Sequence, residues 1–110
     1  MELDAEQRKA IVAMCCSVAR ADGEVTPGEF EALLDILSRF ASGVVGFGEL
    51  QQWLADGPPD ISARLPGESI RPFVHEAVAV ANADGKVDDS EVKTIKAMVA
   101  RYFEEGDEAT

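Results

Sequence analysis

A chain of 110 residues with 46% hydrophobic content supports one core and not two. Ten Lys and Arg against 21 Asp and Glu give a formal charge of −11. That balance repels phosphate backbones and anionic lipid surfaces, which excludes nucleic acid as a partner and favours cations or a basic protein surface. The chain opens with no signal-like segment, and no apolar run reaches the roughly 20 residues that span a bilayer. The expectation is a cytoplasmic protein without direct membrane insertion, treated as a single domain over residues 1–110.

In chain order, Asp4 with Gln7 three residues on reads as an N-cap. Ile11, Met14, Cys15, Val18 and Ala21 follow at helical spacing, so the first helix runs from about Ala5 to Ala21. Adjacent cysteines inside an apolar helical stretch suit neither a loop-closing disulfide nor a zinc site, so Cys15 and Cys16 are read as reduced, partly buried thiols. Phe30, Leu33, Leu34, Leu37 and Phe40 form the stripe of a second helix that Ser42-Gly43 ends. "GELQQWLADGPP" predicts a short helix carrying Leu50, Trp53 and Leu54, stopped by Gly57-Pro58-Pro59. Asp60 is placed to cap a further helical turn through Leu65, and Pro72 fits the first turn of the next helix. Phe73, Val74, Ala77, Val78 and Ala81 give that helix its stripe, and Val92, Ile95, Met98, Val99 and Tyr102 define another. No sustained period-two alternation predicts a strand, so the expected fold class is all-α, with five to six helices.

A 62-residue shift superposes two segments, "VARADGEVTPGE" from Val18 and "VANADGKVDDSE" from Val80, with seven of twelve positions identical. This is an internal duplication of a helix-turn-helix unit. Repeat one covers about 5–42, a connecting segment 43–69, repeat two about 70–104, and an acidic tail 105–110.

Much of the repeated segment is helix punctuation. Thr26 and Glu29 form a capping box with Pro27 at the first helical position, and Val25 with Phe30 a hydrophobic staple. Asp88, Glu91, Val87 and Val92 repeat the arrangement, and Gly23 and Gly85 sit where the preceding helix stops. Asp22 and Asp84 have no such role. A carboxylate in the last turn of a helix faces the negative end of its dipole, at a cost of about 0.3–1 kcal/mol. A basic side chain, a neighbouring helix N-terminus or a cation would compensate for it.

Asp22, Gly23, Val25 and Glu29 also match the second half of an EF-hand calcium loop, as do Asp84, Gly85, Val87 and Glu91. Val18 and Val80 stand where the opening Asp of such a loop belongs, which argues against a calcium sensor. A bound cation would therefore draw carboxylates from both copies.

These duplicated A-x-A-D-G-x-V-x-x-x-E segments resemble the TerB family of tellurite-resistance proteins and the related N-terminal domain of the DjlA co-chaperones, over roughly Glu6 to Phe103. The resemblance implies a pseudo-symmetric helical domain without enzymatic activity, linked to tellurite and other chemical stress. It implies metal chelation by Asp22, Glu29, Asp84 and Glu91, a divalent cation in place of any organic cofactor, and action with protein partners in a membrane-associated assembly. The competing reading is a metal-free acidic scaffold or co-chaperone-type docking module.

Catalysis is not expected. The chain has one histidine, His75, read as a surface residue, and lacks a G-x-S-x-G or Gly-rich phosphate loop. Trp53 is read as a core plug, with an interaction face shared with Phe47 and Leu50 as the alternative.

Overall fold

A computed structural model of the chain describes residues 3–21, 23–59, 64–84 and 89–103. Those residues form five α-helices: α1 (Ala5–Arg20), α2 (Pro27–Phe40), α3 (Phe47–Asp56), α4 (Ile70–Ala81) and α5 (Asp89–Tyr102). Short 3-10 turns, Gly67–Ser69 and Asn82–Asp84, extend α4 at each end. The fold is all-α, and no described helix is long and apolar enough to cross a membrane.

Local sequence explains most helix boundaries. The Asp4 carboxylate accepts from Gln7 N–H at 2.8 Å while the Gln7 amide accepts from Asp4 N–H at 3.0 Å, which closes the expected box. Gly57 ends α3. The duplication survives in the backbone, because α5 begins and ends 62 residues after α2 begins and ends.

α1 is the central helix. Ala10 to Cys16, with Val18 and Ala19, are all buried, so this stretch is apolar around most of its circumference. α2, α3, α4 and α5 all pack against it. Leu33, Ile36, Leu50, Trp53, Phe73, Ala77, Val80 and Ile95 complete the core. Trp53 is buried as expected, whereas Phe47 is 52% exposed with its ring edge-on to Phe30 at 5.9 Å.

Three expectations meet a different outcome. On α4, Val78 of the expected stripe is exposed and Val80 is buried in its place, since the buried face is turned towards α1 and α2. Both cysteines are fully buried, not partly so, because the central helix is enclosed on several sides. Leu65 belongs to no helical turn: its N–H donates to the Tyr102 carbonyl at 3.0 Å, in an isolated bridge with Phe103 that ties the chain before α4 to the end of α5. Asp60, the proposed cap of that turn, lies outside the described residues.

Candidate functional site

The candidate site is built on the two connections that follow α1 and α4. In the first, the Gly23 N–H donates to the Arg20 carbonyl at 2.9 Å, and Gly23 has φ 88°, a left-handed conformation that glycine adopts without Cβ strain. Thr26 then caps α2: its N–H donates to Glu29 Oε1 at 2.8 Å, and the Glu29 N–H donates to Thr26 Oγ1 at 3.1 Å. Val25 and Phe30 both pack on the core, in keeping with the expected staple. In the second connection the chain leaves α4 through a 3-10 turn and enters α5, where Glu91 takes the first-turn position that Glu29 holds in α2.

The two connections touch. A Cβ placed on Gly28 would lie 2.8 Å from the Ala83 carbonyl oxygen, so the first turn of α2 meets the backbone of the other copy with no side chain between them. Glu29 and Glu91 are both withdrawn from water, at 0% and 1% exposure. Such burial is rare for glutamate. Asp22 and the side chain of Asp84 fall outside the described residues, as do Gly85 and Asp88. Among the described residues no group of three or more His, Cys, Asp or Glu side chains gathers as a metal site would require.

A second charged constellation escaped the sequence reading. Arg39 of α2 donates to both carboxylate oxygens of Glu76 on α4, from Nη1 to Oε2 at 2.8 Å and from Nη2 to Oε1 at 2.7 Å. The same guanidinium bonds Asp35 Oδ2 at 2.9 and 2.7 Å. Bidentate hydrogen bonding to Arg39 holds the Glu76 carboxyl below its ordinary value despite burial, and the two carboxylates raise the arginine in turn. No periodic signal in the sequence marked it, because Glu76 lies outside the stripe of Phe73, Val74, Ala77, Val78 and Ala81. Geometrically this is a clasp between α2 and α4, with a half-exposed guanidinium closing over the buried Glu76 carboxylate.

The remaining chemical groups are quiet. Burial, with Cys16 as its neighbour, pushes the Cys15 thiol well up, and burial pushes Cys16 up to about 12. Neither is a thiolate near neutrality, so neither is an effective nucleophile. His75 is exposed on α4, as expected. Comparison with protein-family models, curated proteins and solved structures returned no match to this chain.

Proposed function

We propose that the chain acts as a non-enzymatic, TerB-like module that binds a divalent cation between its paired connections, in the setting of tellurite and chemical-stress resistance and within a larger protein assembly. The observation that supports this reading is the backbone contact at Gly28 and Ala83, because it makes the two repeated segments neighbours in space. Asp22 and Glu29 belong to one of these segments, Asp84 and Glu91 to the other. Carboxylate oxygens from both would suit a hard cation such as calcium or magnesium. A second reading, the metal-free docking module, is favoured by the capping box, which already engages Glu29 Oε1.

Thermal melting of chelator-treated protein separates the two. At a cation concentration about a hundredfold above Kd, binding adds about 2.7 kcal/mol and raises Tm by roughly 10 °C. Replacing Asp22 and Asp84 with Asn abolishes that rise. No shift with calcium, magnesium or zinc at saturating concentration defeats the cation reading and leaves the docking module.

A further inference from the structure

The duplication permits a comparison that exposure alone would not. With the 62-residue offset, the α1 face made by Lys9, Val12, Ala13, Cys16, Ser17 and Arg20 corresponds to the α4 face made by Arg71, Val74, His75, Val78, Ala79 and Asn82. On α1 this face is covered by α3. Glu49 Oε2 pairs with Lys9 Nζ at 3.6 Å, the same ammonium lies 6.0 Å from the centre of the Trp53 ring, and a Cβ on Gly57 would come within 2.9 Å of the Arg20 guanidinium. Val12, Ala13 and Cys16 are buried.

On α4 the corresponding residues line a groove that no described residue fills. Arg71, Val74 and His75, with Val99 of α5, border a depression of about 910 Å³. A smaller one of about 360 Å³ continues it past Val78 to Asn82. Val78 is 41% exposed, while its α1 counterpart Cys16 is fully buried.

Arg71 is the basic residue that lines the groove, and the two helices bordering it carry few acids. From Ile70 to Ala83 the only acid is Glu76, which is buried and held by Arg39, and from Val92 to Phe103 there is none. Those stretches carry Arg71, Lys93, Lys96 and Arg101 in a chain of net charge −11. Glu68 lines one end of the groove.

We propose that the α4–α5 groove docks a short acidic amphipathic helix from another protein, with the chemistry that α3 presents to α1. α3 contains Glu49 and Asp56 and no Lys or Arg, and it buries Leu50 and Trp53, three residues apart. A carboxylate in the first turn of the partner helix would meet Arg71 as Glu49 meets Lys9, and its apolar pair would cover Val74 and Val78, an anchor spacing typical of a helix in a groove. The 12 residues of α4 span about 18 Å, enough for three turns of partner helix. A second copy of this chain fits less well. Its own α3 is already seated on α1. Neither Glu29 nor Glu91 lines the groove, and the titration that tests it is run in chelator, so this site stands or falls separately from cation binding.

The probe is a labelled, helix-stapled peptide with the α3 sequence from Gly46 to Gly57, titrated by fluorescence anisotropy against the intact chain in chelator. A matched peptide carries Lys at both acidic positions. The acidic peptide is expected to bind saturably, and at least about tenfold more tightly than the Lys peptide. Val78→Glu in the chain weakens it by a similar factor, and Arg71→Glu moves the preference towards the Lys peptide. Val78 is exposed, so its variant should melt like the parent; if it does not, the Arg71 charge swap decides alone. No saturable binding, equal binding of both peptides, or indifference to Val78→Glu overturns the proposal. So does concentration-dependent self-association, in sedimentation, that Val78→Glu removes.

Discussion

α1 and α4 hold equivalent places in the two repeats and live in opposite surroundings. α1 is enclosed by four helices, while α4 has one face that the described residues leave uncovered and another clasped to α2. The divergence is chemical as well as spatial. Arg39 binds Glu76, but the residues 62 positions away, Arg101 and Met14, form no such pair: Met14 is buried in the core, and Arg101 lies 5.4 Å from the Tyr102 ring. Duplication therefore preserved the bounds of α2 in α5, while α1 (16 residues, capped by Asp4) and α4 (12 residues, no side-chain cap) diverged along with the chemistry between helices.

The largest expected break in that comparison is at the clasp. Arg39→Ala leaves the Glu76 carboxylate buried without its cation and should cost about 3 kcal/mol in chemical denaturation, whereas Arg101→Ala should cost less than about 1 kcal/mol. Equal losses would mean the clasp adds nothing. The pH dependence has a fixed sign. Because Glu76 sits below its ordinary 4.5 in the folded chain, its contribution is complete above that value and fades as pH falls through the lower folded value. The stability gap between the parent and Glu76→Gln should therefore close in acid.

A smaller break is expected at the loop contact. Gly28→Ala forces a methyl into the Ala83 carbonyl and should destabilise by about 2 kcal/mol in the same denaturation, a constraint that repeat two, with Ser90 at the matching position, does without. The smallest effect sharpens the comparison instead of breaking it. Thr26→Ala and Asp88→Ala should each cost about 1 kcal/mol if both copies use the same cap, measured by the same denaturation.

Local signals were legible and distant ones were not. Asp4 with Gln7, Thr26 with Glu29, and the Gly57-Pro58-Pro59 stop each act within a few residues, so their helices could be bounded from the sequence. The bridge from Leu65 to Phe103 and the clasp from Arg39 to Glu76 join residues 37 or more positions apart, and neither carries a periodic mark. For the candidate site, the spacing identified Glu29 and Glu91, and their deep burial came only with the packing. Gly28 passed unnoticed because the contact that requires it is with Ala83, far along the chain, and nothing local marks it.

That glycine has a mechanical consequence. Where side chains meet, a few rotatable bonds can take up a small shift, but Gly28 and Ala83 meet backbone to backbone and have no such slack. The two repeats are geared at this point. A shift of one connection towards the other at this point has to be taken up by backbone, not by a side-chain rotamer.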